Sequence, residues 1–287
     1  MELKTLTADN YELAFMERGH GTPLVLIHGS LSDYRSWALQ IKNFSKNFRT
    51  IALSLPHIYL KPLKANKDCA VILQQAYDLS LFIKKLKAGP VNLVGHSRGG
   101  ALALILAAEH PELFRSVVLA DPAPFDSIIP NLPEVLVELR KRKSFIIEAI
   151  DHIKKGELDI GLEIFTDAVS TKGNWKKLPE AGKQIRRENA LSLKNLISDG
   201  QVSFTSKDAG KIDMPVLLVT GEKSPLIYGI MHTALENHLK NFKKIQILKA
   251  SHGMHRDNPN SFNTAVLDFL IKHNDQEHKS DDMKRST

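Results

Sequence analysis

Cysteine is nearly missing from this chain: Cys69 stands alone among 287 residues. No internal disulfide framework can form, and the composition fits a reducing compartment. Long apolar runs are missing too. The opening Met1-Glu2-Leu3-Lys4-Thr5-Leu6 lacks the apolar stretch of a secretory signal. The longest purely apolar run, Ala101 to Ala108, falls well short of the roughly 20 residues that span a bilayer. The expectation is a soluble, cytoplasmic protein with no membrane partner. There is no Cys/His cluster of the kind that holds zinc and no G-x-x-x-x-G-K phosphate loop, so no metal or organic cofactor is expected. Internal repeats are absent.

The formal charge of +7 raises polyanion binding as a possibility, because basic surfaces attract phosphates. The lysines are scattered, however, over Lys61–Lys67, Lys84–Lys87 and one short cluster, Arg140-Lys141-Arg142-Lys143. Without a dense basic stripe interleaved with aromatics, no nucleic-acid partner is expected. The expected partner is a small-molecule substrate; the sequence carries no reading of oligomeric state.

What is present is an alternation of short apolar runs with helical stretches. Residues 10–18 alternate as a strand does. Leu24–Ile27, Thr50–Leu53, Val91–Val94, Ser116–Leu119, Val216–Val219 and Lys244–Leu248 are short, mostly apolar runs, as in strands buried on both faces. Between them, Asp68–Lys87, Gly99–His110 and Asn260–His273 repeat their apolar residues at helical spacing. This alternation predicts an α/β fold, a mostly parallel central sheet flanked by helices. Residues 125–196 break the pattern with helical segments alone (Glu134–Leu139, Phe145–Lys155, Asp159–Ser170, Lys183–Ile197). They are expected to form an inserted helical cap over a core built from residues 1–124 and 197–273. The polar tail, residues 274–287, is expected to be disordered.

Val91–Val94 runs into Gly95-His96-Ser97-Arg98-Gly99-Gly100, and an apolar helix follows at once. A G-x-S-x-G pattern says little alone, but a buried strand before it and a helix after it make a strand–turn–helix elbow. The serine must stand on a sharp turn, and glycines two residues to either side remove the Cβ atoms that would collide. A hydroxyl needs a base. His252, in Ser251-His252-Gly253-Met254-His255, follows the last strand, on the side where ligands of parallel sheets bind. His255 is its rival, and the glycine after His252 favours the latter. The first buried strand ends in His28-Gly29-Ser30. The amides of Ser30 and Arg98 make a two-donor oxyanion hole, and His28 is read as a loop-orienting hydrogen bonder.

Leu24–Ser30, Gly95–Gly99, Pro215–Glu222 and Ala250–Gly253, in that order, resemble the α/β-hydrolase superfamily over about residues 1–272, and its capped members most. The resemblance implies the α/β-hydrolase fold and a catalytic triad. Dehalogenases and epoxide hydrolases of this group use an aspartate nucleophile, which Ser97 argues against. The chain departs from the family pattern where the triad acid is usual: Ser224 stands there, in Gly221-Glu222-Lys223-Ser224-Pro225. Some relatives carry the acid one strand earlier, and here Asp121 directly follows Val117-Val118-Leu119-Ala120. Asp121 is therefore taken as the acid, with Glu222 as the alternative.

The implied activity is that of a serine hydrolase acting through an acyl-enzyme on a small or medium carboxylic ester. A C–C-bond hydrolase or cofactor-free oxygenase on the same fold is the alternative enzyme, and a non-catalytic ligand receptor the alternative without chemistry. Specificity is assigned to the cap and to loops at Ser30–Tyr34 and Pro56–Tyr59. Leu31, Tyr34, Trp37, Phe125, Phe165 and Trp175 are the candidate apolar lining.

Overall fold

The short apolar runs become neighbours in one sheet. A computed structural model describes residues 3–8, 11–55 and 71–285; the Pro56–Tyr59 loop, Cys69 and the start of the helix expected from Asp68 lie outside them. Eight strands are present: β1 (Leu3–Ala8), β2 (Tyr11–Arg18), β3 (Pro23–Ile27), β4 (Arg49–Leu53), β5 (Val91–His96), β6 (Phe114–Ala120), β7 (Val216–Gly221) and β8 (Phe242–Ile247). They lie in the order β1-β2-β4-β3-β5-β6-β7-β8. β2 pairs antiparallel with β1 and β4, and from β4 to β8 every neighbouring pair is parallel. This is an α/β-hydrolase fold, with a mostly parallel sheet flanked by helices.

Burial explains which residues form which strands. β3 and β5 are buried at every position, as continuous apolar runs covered on both faces must be. β8 is an outer strand, and its Lys243, Lys244 and Gln246 face solvent, where charge discourages edge pairing. One face of the sheet is covered by α2 (Val71–Lys85), α3 (Arg98–Glu109) and α10 (Leu226–Glu236), the other by α1 (Ala38–Phe44) and α12 (Pro259–Arg285). α3 is buried from Arg98 to Ala108, so the helix after the elbow is a core element. Among the elements that escaped the sequence pattern are β1 and α10. β1 is mostly exposed, which hides its period, and α10 is apolar nearly throughout.

Between β6 and β7 the described residues contain helices only. α4 (Pro133–Lys154) is one helix of 22 residues where two segments were expected; the basic cluster continues it because Arg and Lys are good helix formers. α5 (Leu158–Ala168), α6 (Asn174–Lys177), α7 (Glu180–Glu188), α8 (Asn195–Asp199) and α9 (Ser206–Ala209) follow. The helix expected over 183–197 breaks at Asn189, whose backbone amide still reaches Ile185 O at 3.2 Å and whose side-chain Nδ2 donates to Asp33 Oδ2 at 2.8 Å. These helices enclose a small core of their own (Ile146, Ile150, Leu162, Phe165, Trp175, Leu193), joined by Leu31 from the loop after β3. The tail departs from expectation: α12 runs to Arg285. Lys, Glu, Gln and Asp need no burial to continue a helix already begun. No helix among the described residues is long and apolar enough to cross a membrane.

Phe262 on α12 is fully buried against Trp37. Phe262→Ala is expected to destabilise the protein by about 3–5 kcal/mol, read as a drop in the midpoint of denaturant unfolding. Leu191→Ala, 71% exposed, is the control and should change stability by less than about 0.5 kcal/mol.

Candidate active site

Ser97 sits between β5 and α3 with φ 54° and ψ −119°, a conformation that L-residues adopt only when the surroundings enforce it. Its amide donates to Ala120 O at 2.9 Å, and its carbonyl accepts from Gly100 (2.8 Å), Ala101 (3.1 Å) and Ala123 (2.9 Å). A Cβ on Gly95 would strike the carbonyl of Gly99, and one on Gly99 the carbonyl of Ile27. The glycines of the motif are therefore required by close backbone packing. Gly29 performs the same service from β3: its Cβ would lie 3.0 Å from Ser97 Cβ and 2.9 Å from His96 Nδ1. The Gly29-Ser30 turn is thus pressed against the serine, and Ser30 and Ser97 line the same cavities.

Asp121 and His252 are brought together. His252 Nδ1 lies 3.3 Å from Asp121 Oδ2, with both side chains buried. Ser224, at the position where relatives keep an acid, donates its hydroxyl to the same Asp121 oxygen at 2.6 Å and accepts from the Gly221 amide at 3.1 Å. Glu222 is turned elsewhere, accepting from the Lys249 amide at 2.7 Å. His255 is buried between Trp37 and His96, its ring 4.8 Å and 4.6 Å from theirs. His28 hydrogen-bonds the Gly29 carbonyl (2.7 Å) and accepts from the Leu55 amide (3.1 Å), tying the β3 turn to the end of β4.

Three residues at the site carry no motif. Tyr228 on α10 stacks flat on His252, ring centroids 4.1 Å apart and planes 12° from parallel, and its hydroxyl hydrogen-bonds the Ser97 side chain. Arg142, in the basic cluster of α4, faces inward and lines a cavity of about 10 Å³ over Ser97 with Tyr228 and Phe165. His232, one turn after Tyr228, is fully buried with Nε2 3.8 Å from Asp121 Oδ1. An apolar helix with Tyr and His four residues apart was the available signal for two of them. Of the six candidate lining residues, Leu31 and Phe165 reach the cavity beside Ser97 and His252. Trp37 and Phe125 are core residues, and Trp175 belongs to the small core of the helices between β6 and β7. Tyr34 packs partly buried against the α1–α12 side of the sheet.

A family model described as alpha/beta hydrolase fold matches residues 22–259. A relative from Acinetobacter baylyi, an (E)-2-((N-methylformamido)methylene)succinate hydrolase, is 26% identical, the match covering 93% of this chain and 97% of its own. A 2-hydroxy-6-oxo-6-(2'-aminophenyl)hexa-2,4-dienoic acid hydrolase from Metapseudomonas resinovorans is 23% identical over 94% and 91% of the two chains. Among solved structures, a bromoperoxidase from Bacillus anthracis superposes with a TM-score of 0.76 at 21% identity, covering 94% of this chain and 100% of its own.

The site stores histidines in a dry interior. Burial pushes His252 down to about 3 and His28 and His232 to about 4; it also holds His96 and His255 well below the ordinary value. Asp121 is pushed up to about 6 by burial, against the pull of His232 and the hydrogen bond from Ser224. At neutral pH His252 is neutral and Asp121 is mostly ionised. A histidine with a lowered folded pKa adds stability above pH 6.5 and loses it as pH falls through the folded value. Asp121, with a raised pKa, contributes in the opposite sense between about 6 and 3.8. Five histidines outweigh one aspartate. The melting temperature is expected to hold from pH 7.5 to about 6.5 and to fall from there to pH 5, each histidine adding up to about 1.4 kcal/mol per pH unit. His232→Asn should make that decline shallower; a flat wild-type profile measured by calorimetry would contradict this account.

Proposed function

The chain belongs to the alpha/beta hydrolase family, and from that premise we propose that it is a serine hydrolase cleaving a small or medium carboxylic ester. Ser97 attacks the acyl carbonyl while His252 takes its proton as general base, and Asp121 orients the imidazole and stabilises its charged form. The amides of Ser30 and Arg98 receive the developing oxyanion. His252 then protonates the departing alkoxide, and a water activated by the same imidazole releases the acid from Ser97. No cofactor enters these steps.

The observation that carries the reading is the 3.3 Å approach of Asp121 to His252 beside a serine on a strained strand–helix turn. An aspartate here, held by the Ser224 hydroxyl, supplies what the usual acid position lacks. A second reading, hydrolysis of a carbon–carbon bond, draws support from the relative named for a hydroxy-oxo-hexadienoic acid. It uses the same serine and histidine and differs in the group that leaves.

Treatment with a fluorophosphonate is expected to add the probe's mass to the peptide bearing Ser97, and Ser97→Ala should abolish the adduct. A folded wild-type protein that stays unlabelled would remove the serine-hydrolase reading. Asp121→Asn should lower kcat for a p-nitrophenyl ester by about 10³–10⁴-fold, whereas Glu222→Gln should change it less than about twofold. The reverse ranking would transfer the acid's role to Glu222.

A further inference from the structure

Beside Ser97 and His252 lies a cavity of about 40 Å³ into which Arg186 of α7 and Arg256 of α11 (Met254–Asp257) both face. Arg186 is 7% exposed, and its guanidinium donates to the Gly182 carbonyl at 2.9 Å. Arg256 follows the base by four residues; a Cβ on Gly253 would lie 2.9 Å from its Nη2. Two guanidinium groups close enough to repel each other cost free energy in a dry pocket unless an anion sits between them. The nearby carboxylate, Asp257, attracts both arginines, but it is exposed and already accepts from the Ser251 amide at 2.9 Å, so it offsets their repulsion only in part. Within the same cavity Thr166 is 3% exposed, and its hydroxyl has no hydrogen-bond partner among the described residues. An unpaired buried hydroxyl is itself a cost of about 1–3 kcal/mol, removed if a ligand oxygen reaches it.

The geometry points to a carboxylate subsite: Arg186, Arg256 and Thr166 receive an anionic carboxylate borne by the substrate, a few bonds from the acyl carbon that Ser97 attacks. At roughly 10–15 Å³ for each water-sized occupant, the cavity holds about three such volumes, suited to a planar carboxylate. Guanidinium forks match that group in two-point contact. One arginine comes from the helices between β6 and β7 and the other from the core beside His252, so the anion bridges the two layers at the base. This inference rests on the serine-hydrolase reading for its acyl carbon, while the anion pocket itself does not depend on turnover.

The test separates the two. Hydrolysis of mono-p-nitrophenyl succinate is compared with that of p-nitrophenyl butyrate, a neutral ester of similar length. Wild type is expected to favour the succinate ester by tenfold or more in kcat/KM, and Arg186→Gln or Arg256→Gln should cut that ratio at least tenfold, chiefly through KM. Arg186→Lys should restore part of it. In parallel, succinate binding to Ser97→Ala is measured by calorimetry. Thr166→Val, which removes only the unpaired hydroxyl, should weaken succinate binding by about threefold or more while leaving the melting temperature equal or higher. If neither ester is cleaved yet succinate binds in an arginine-dependent way, the hydrolase reading falls and the subsite stands. Equal use of both esters by wild type, or succinate binding indifferent to both arginines, overturns the subsite.

Discussion

The peptide of Ser97 is held in its strained conformation by two backbone hydrogen bonds that reach across to the end of β6. The Ser97 amide binds Ala120 O, and the Ser97 carbonyl accepts from Ala123. Between those two anchors sits Asp121, itself at φ 41° and fixed to β7 through its amide and Val219 O at 2.9 Å. The turns that carry Ser97 and Asp121 are therefore sewn together, so neither relaxes without the other. Strain of this kind costs about 1–3 kcal/mol per residue and persists because the core determines it from several sides at once. The glycines at 95 and 99 are what let β5, α3 and the end of β3 approach closely enough to do so.

An acid on β6 changes what surrounds the histidine. β6 and β7 are paired, Ala120 beside Val219, so a carboxylate at 121 reaches His252 from one strand away from the usual position. The residue left at that usual position is small and polar. Ser224 donates to the carboxylate oxygen that also faces His252, and accepts in turn from Gly221. A carboxylate at 224 would instead have placed two like charges about the same point, which ionise together only at a large cost. The serine at 224 and the aspartate at 121 thus make one arrangement, and each is intelligible through the other.

This pair was legible from sequence because each member is tied to a strand end, and strand ends follow from short apolar runs. The elbow, His252 after β8 and the Ser30 turn share that property. What escaped was set by contacts between distant segments. Tyr228 meets His252 because α10 packs over the sheet, and no local signal marks a tyrosine as stacked on a histidine. Arg142 differs from Arg140, Lys141 and Lys143 only by its phase on a helix whose ends could not be drawn. β1 and the extended α12 owe their form to edge pairing and to helix propensity, neither of which writes a hydrophobic period. The helix α7 ends at Asn189, whose side chain is held by Asp33, a partner 156 positions away.

The ties between the helical insertion and the core are unequal, and their inequality bears on how Ser97 is reached. On one side Asp199 binds Arg98 Nε at 2.6 Å and the Ile72 amide at 3.0 Å, in a buried network that includes Gln75. Breaking it would strand charge in the interior, at several kcal/mol. On the other side Arg35 pairs with Glu188 at the surface, an interaction that water screens to little, and the Asn189 side chain donates to Asp33 Oδ2 at 2.8 Å, a bond whose loss leaves Asp33 still paired with Arg35. The spaces beside Ser97, about 40 and 10 Å³, have room for about three waters and one at most and for no whole ester, so a substrate must displace side chains to reach the serine. Displacement is cheapest where the ties are weakest, along α7, the helix that carries Arg186 and ends at Glu188. The charge facing the serine and the segment most easily moved from it belong to the same short helix.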